Sequence, residues 1–194
     1  IDLVTWPRRP VFDFYKDGPD PSWGTTVRLD VSKLRQLCKA RGWSYFHGCL
    51  FLFLKSVNEC EPMRYRMQTD DDGHKQVICY TRVHASCPIL RADETYGMVL
   101  FGADDSFTSF RQYAAEAMAH FHANVGAGLN KLARDDVLHG SVLPWIDFTS
   151  YQHAVGRASR PAIPKYVFGK LVHDTRIDTW SQAFCLHVHH GLMH

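Results

Sequence analysis

The residues best suited to chemistry gather in the run Phe184-Cys185-Leu186-His187-Val188-His189-His190-Gly191-Leu192-Met193-His194. Leu186 and Val188 alternate with His187 and His189 as in a strand, so His190 falls at or just past the strand's end, where side chains are presented to a cleft. That position suits a general base. Histidine titrates near neutrality, and its neutral ring accepts a proton on one nitrogen while a hydrogen bond to the other fixes the tautomer. Histidines at strand ends also serve as half-buried hydrogen-bonding groups, so the cluster alone does not decide. Metal binding is a second reading, because His187 and His189 share a strand face and His190 and His194 are spaced i, i+4. Against it, His189 and His190 point to opposite faces of an extended strand, and no carboxylate or cysteine at ligand spacing completes a coordination shell.

The surrounding pattern is mixed helix and strand. Thr25 to Leu29 alternate as a strand, and Val31, Leu34, Leu37 and Cys38 recur at helical spacing up to Gly42. Phe46 to Val57 is apolar nearly all round, which predicts a buried helix. Thr69-Asp70-Asp71-Asp72-Gly73 predicts a tight hairpin turn leading into Val77 to Tyr80, with a metal role for its acids a remote second. Strands are predicted at Val83 to Leu90 and Tyr96 to Phe101. Phe107, Phe110, Tyr113, Ala114, Ala117, Met118 and Phe121 then trace one face of a helix, which core packing explains without a cofactor. Further strands are predicted at Ser141 to Phe148, Ile163 to Val172 and Gln182 to His189. With too few helices between them for a doubly wound parallel sheet, the expected fold is an α/β (α+β) two-layer sandwich built on a large mixed sheet.

At 194 residues and 45% hydrophobic, the chain suffices for one substantial core, and a single domain over 1–194 is expected. The formal charge is +2 with cations scattered among acids, so no nucleic-acid or membrane footprint is present. The longest apolar run, Cys49 to Leu54, falls far short of the roughly 20 residues of a membrane span. No signal-like segment opens the chain, which points to the cytoplasm. The start at Ile1 and the stop at His194 inside a motif fit a portion of a longer product. The six cysteines form no Cys-x-x-Cys pair and are expected to be reduced, largely as core groups.

Several segments together carry a family resemblance. His189-His190-Gly191-Leu192-Met193-His194 is similar to the His-His-x-x-x-Asp-Gly signature of chloramphenicol acetyltransferases, shared in related form by dihydrolipoamide acyltransferase cores. Trp6-Pro7-Arg8 with Phe12 resembles the family's N-terminal Trp-x-Arg-x-x-x-Phe. Pro144-Trp145-Ile146-Asp147-Phe148-Thr149-Ser150-Tyr151 resembles its Pro-Trp-x-x-Phe-x-Ser-Phe. Glu94-Thr95-Tyr96 and Phe168-Gly169-Lys170 are similar to its Glu-Thr-Phe and Met-Gly-Lys segments, all in family order.

The resemblance implies a homotrimer with active sites between subunits, the catalytic histidine coming from one and the acceptor pocket largely from its neighbour. It implies acetyl-CoA as co-substrate and no metal, with His190 as the base that deprotonates an acceptor hydroxyl. It makes Ser150 the donor to the oxyanion, Tyr15 and Tyr96 acceptor contacts, and Lys170 a coenzyme contact. Two positions depart from the pattern. The family aspartate that pairs with the arginine at Arg8 is His194 here, giving Arg8 and His194 a structural role, and a family threonine is replaced by Val167. Both changes favour a different acceptor or a slow enzyme, with chloramphenicol one candidate acceptor and antibiotic resistance one candidate role. A weakly active or inactive trimeric binding protein and a metal-dependent enzyme are the alternatives. The family's closing helix lies beyond the sequence in hand.

Overall fold

The computed structural model describes residues 1–19, 21–124, 134–153 and 163–193. The alternation around His187 becomes a long strand, β8 (Thr179–His189), which sorts its side chains to two faces. Phe184, Leu186 and Val188 enter the main core, while Ala183 and Cys185 join a smaller cluster on the other face with Phe148 and Val167. β8 is flanked by β1 (Ser22–Asp30) and β7 (Lys165–Asp174), antiparallel to both. β6 (Val137–Val142), β4 (His84–Leu90) and β5 (Tyr96–Phe101) complete a six-stranded sheet of order β1-β8-β7-β6-β4-β5. The β6 pairings with β7 and β4 are parallel, so the sheet is mixed as expected.

α2 (Ser32–Arg41) ends at Gly42, whose φ of 64° supplies the left-handed turn that stops a helix without a Cβ penalty. α3 (Tyr45–Glu59) starts at Ser44, whose side chain accepts from the His47 N–H at 3.3 Å. α3 and α4 (Phe107–Ala123) supply Leu50, Leu54, Phe110 and Ala114 to the main core under the sheet. α3 is not buried all round as its composition suggested. Leu52 is 48% exposed and the burial follows Gly48, Cys49, Leu50, Leu54 and Val57, so the helix is amphipathic despite its apolar outer residues.

The acid-rich turn joins β2 (Tyr65–Thr69) to β3 (Lys75–Cys79) as a separate hairpin. Asp70 Oδ1 accepts from the backbone N–H groups of Asp72 (3.1 Å) and His74 (2.7 Å), which accounts for that acid by turn formation. A second small core, Phe12, Tyr65, Val77 and Leu192, fastens the hairpin to α1 (Arg9–Tyr15) and to α5 (His190–Met193). Neither short helix was anticipated from periodicity, since each is too brief to show one.

The strand expected over Ser141 to Phe148 stops at Val142. Pro144 has no N–H to give to a ladder, and the Ile146 N–H closes a turn on Leu143 O at 3.1 Å. Ser150 therefore belongs to a loop and not to a strand. All six cysteines are free, with Cys38, Cys49, Cys87 and Cys185 buried and Cys60 and Cys79 exposed. Among the described residues no helix is long and apolar enough to cross a membrane.

Candidate active site

His190 is held from several directions. It is the first residue of α5, directly after β8, and its backbone N–H donates to Pro21 O at 2.8 Å, just before β1 begins. Its ring stacks on Tyr15 of α1 with centroids 4.3 Å apart and planes 23° from parallel, and Trp23 of β1 lies 6.3 Å away. An offset stack of this kind fixes ring orientation and contributes about 0.5–1.5 kcal/mol. Gly191 follows because α1 passes so close: a Cβ there would stand 3.1 Å from Phe12 Cα. Arg8 reaches the same turn, its Nη1 donating to Leu192 O at 3.3 Å. The arginine thus has a carbonyl acceptor on the α5 turn. His194, its expected structural companion, lies outside the described residues.

The neighbouring histidines occupy different environments. His189 is 1% exposed, and neither ring nitrogen has a hydrogen-bond partner among the described residues. Burial, then the nearby Lys75 and His190, push its pKa down to about 4. His187 places Nε2 2.7 Å from Tyr151 O; a carbonyl only accepts, so Nε2 carries the proton. Of the three, His190 alone pairs partial exposure with a position at the strand's end beside a tyrosine ring. No three histidine, cysteine, aspartate or glutamate side chains gather as a metal-binding group among the described residues.

Ser150 is positioned from the other side of the sheet. Phe148 is buried with Val167, Ala183 and Cys185, and Tyr151 is tied to His187 through its carbonyl, so Ser150 emerges between two anchors. It is exposed and lines a cleft of about 490 Å³ with Ser22, Trp23, Gly24, Thr149, His153, Lys165 and His187. His190 does not line this cleft; Trp23 both lines it and lies near the His190 ring. Within one chain the structure brings together His190 and Tyr15, but not His190 and Ser150.

Two sequence segments that seemed unrelated meet beneath Ser150. Leu143 N–H donates to Phe168 O at 2.8 Å and Lys170 N–H to Ile146 O at 2.8 Å, across an irregularity of β7 between Phe168 and Leu171. Gly169 sits at that irregularity because a Cβ there would come within 2.9 Å of Phe148 Cε1. Gly169→Ala is expected to displace the Phe148 ring at a cost of about 1–3 kcal/mol. Chemical denaturation checks this against Gly102→Ala, where a Cβ meets nothing within 4 Å.

A further expectation concerns acid. His153, like His189, has its pKa pushed down to about 4, by burial and then by His187, Lys165 and His139. Since the unfolded value is near 6.5, the unfolded chain binds more protons than the folded one between those limits. Stability is complete above about pH 6.5 and is lost as pH falls towards 4, each ring adding up to about 1.4 kcal/mol per pH unit. Urea midpoints between pH 7 and 4.5 should fall accordingly, and less steeply in His189→Gln. A midpoint indifferent to pH would contradict this.

Residues 1–193 of the chain match the chloramphenicol acetyltransferase family. The chain belongs to that family. The chloramphenicol acetyltransferase of Campylobacter coli is 24% identical over 175 residues, covering 88% of this chain and 79% of the relative. One from Staphylococcus aureus is 23% identical over 195 residues, covering 99% and 89%. A solved chloramphenicol acetyltransferase superposes with a TM-score of 0.86 at 24% identity, over 100% of this chain and 91% of that one, which shows a shared fold.

As a member of the chloramphenicol acetyltransferase family the protein is an acyltransferase. The remaining expected site residues lie apart from one another within one chain. Tyr96 opens β5, the edge strand farthest from β1 and β8, and is 49% exposed. Lys170 lies exposed at the β7 irregularity. Val167 is fully buried against Phe148, so its methyls are packed into the smaller core. Sequence reading did not single out His153, Lys165 or His139. For the last two the signal is strand register: His139 faces Lys165 and Lys165 faces His187 across β6, β7 and β8.

Proposed function

We propose that this acyltransferase is a cytoplasmic homotrimer that moves the acetyl group of acetyl-CoA to a hydroxyl of a small acceptor. The observation that carries the reading is the setting of His190, stacked on Tyr15 at the end of β8, a position that fits a general base. In this reading His190 takes the proton of the acceptor hydroxyl as that oxygen attacks the thioester carbonyl. The tetrahedral intermediate bears an oxyanion, to which the exposed Ser150 hydroxyl donates. Collapse expels the coenzyme thiolate, which recovers the proton from His190. The separation of His190 from the Ser150 cleft within one chain supports a centre assembled from two copies, one giving the histidine and the other the cleft. Arg8 then acts by steadying the turn that carries His190. Chloramphenicol is one acceptor to try, and an antibiotic-resistance role would follow from its turnover.

The test is release of free thiol from acetyl-CoA in the presence of a panel of hydroxylated acceptors, chloramphenicol among them. Acceptor-dependent release supports the reading. No release with any acceptor, from a folded protein that still binds acetyl-CoA, would favour the alternative of a binding protein.

A further inference from the structure

Gln182 is an amide among hydrocarbon. β8 sends Phe184, Leu186 and Val188 to the main core, and the same alternation puts Gln182 on that side, where it is buried. A buried amide is costly unless both of its ends are bonded, and here both are. Nε2 donates to Gly169 O at 2.6 Å; a carbonyl only accepts, so this contact assigns the amide nitrogen to that side. Oε1 faces the other way, accepting from Tyr45 Oη at 2.8 Å, with the Cys49 thiol at 3.8 Å. Burial pushes the Tyr45 phenol up, so it stays a protonated donor. The amide is thereby held in one orientation between α3 and β7.

Gly169 links the two faces of the sheet. Register sets Phe168 opposite Phe184 and Leu171 opposite Gln182, so Gly169 and Lys170 together oppose Ala183. Such a bulge disrupts the ladder locally, and its backbone groups need partners from elsewhere. On the helix side the Gly169 carbonyl has the Gln182 amide. On the other face a Cβ at Gly169 would come within 2.9 Å of the Phe148 ring. The main-chain bonds from Leu143 N to Phe168 O and from Lys170 N to Ile146 O fasten the loop on either side of that contact, both at 2.8 Å. Phe148 stands two residues before Ser150. A continuous series of contacts thus runs from Tyr45 through Gln182 and Gly169 to Phe148 and the Ser150 loop. An apolar side chain at position 182 would fill the same space and leave the bulge carbonyl unpaired in the core.

We propose that Gln182 is a positioning residue for acyl transfer: its amide locks the β7 bulge, and the bulge sets the place of the loop that presents Ser150. The inference rests on the reading of Ser150 as the oxyanion donor. A donor of that kind must be held within about 0.5 Å of its productive place, and a misplacement of about 1 Å costs about 100-fold in rate. The effect of Gln182 therefore passes through Ser150. His190 is held by other groups, the Tyr15 ring and the Pro21 carbonyl.

The test is a double-mutant cycle on kcat, measured by thiol release from saturating acetyl-CoA with chloramphenicol or, failing its turnover, the fastest acceptor of the panel. Gln182→Met keeps the side chain's length and removes both of its hydrogen bonds. It should lower kcat about 10- to 100-fold in the otherwise wild-type chain, yet less than about twofold in Ser150→Ala, where the group being positioned is already gone. Tyr45→Phe, which removes only the donor that orients the amide, should show a smaller loss of the same pattern, and it carries the cycle if Gln182→Met does not fold by circular dichroism. A folded Gln182→Met with wild-type kcat would overturn the proposal. So would an equal loss in both backgrounds, which is what general damage to the core gives. Hydrogen exchange of the free protein separates the anchor from the chemistry. Faster exchange of the Leu143, Ile146 and Lys170 amides in Gln182→Met, with kcat unmoved by that change and by Ser150→Ala, keeps the anchor and sinks the oxyanion reading of Ser150. Unchanged exchange at those amides, with kcat lowered by Ser150→Ala alone, keeps that reading and sinks the anchor.

Discussion

His190→Ala is expected to lower acceptor-dependent thiol release about 100- to 10,000-fold, the usual contribution of a positioned general base. The fold should survive. The main-chain bond from His190 N to Pro21 O does not need the ring, and Gly191 and Leu192 keep α5 packed on Phe12, Tyr65 and Val77. What is lost is the imidazole itself and its stack on Tyr15, about 0.5–1.5 kcal/mol of stability. The expected signature is thus a collapse of kcat with a small shift in unfolding midpoint. Steady-state thiol assays beside urea denaturation measure both, and a variant that keeps most of its turnover would remove His190 from its role. His189→Gln provides the contrast, because that ring is shut away from solvent and its loss should act on acid stability more than on turnover.

Ser150→Ala should cost about 100- to 1000-fold in kcat, the range measured when a single oxyanion donor is removed. The side chain is exposed, and no hydrogen bond among the described residues holds its hydroxyl, so stability should barely change. The effect should fall on kcat with little change in the KM for acetyl-CoA, since the donor meets a charge that develops only in the transition state. A loss confined to KM would make Ser150 a binding contact. A melting temperature well below wild type would make it a structural one.

The strands and helices with clear periodicity were legible in the sequence. β5 runs over the predicted residues, and α4 buries Phe110, Ala114 and Phe121 as their i, i+4 and i+11 positions on one helical face require. The position of His190 at the end of β8 was legible too, because alternation with Leu186 and Val188 counts the strand out to His189. What periodicity missed was decided by contacts distant in sequence. The strand predicted over Ser141 to Phe148, just ahead of Ser150, is cut short at Val142 because Pro144 ends β6 and the bonds from Leu143 and Lys170 fold the loop onto β7. Arg8 looked stranded without a carboxylate, yet the Leu192 carbonyl receives it, a partner that no side-chain pattern reveals. The basic row of His187, Lys165 and His139 draws on three strands and becomes visible only through register. α1 and α5, too short for a period of their own, carry Tyr15 and His190 into contact through tertiary packing alone.

Mixing the two inactive variants tests most directly whether the reactive centre combines His190 of one copy with the Ser150 cleft of another. His190→Ala and Ser150→Ala chains carrying different affinity tags would be unfolded together, refolded at equal ratio and assayed for thiol release. In a randomly mixed closed trimer, each site draws its histidine and its serine from different subunits, so about one quarter of the sites regain both groups. Recovery to about one quarter of wild-type activity is the predicted result. Activity that stays at the level of the separate variants, in hybrids proven by sequential tag purification, would contradict it.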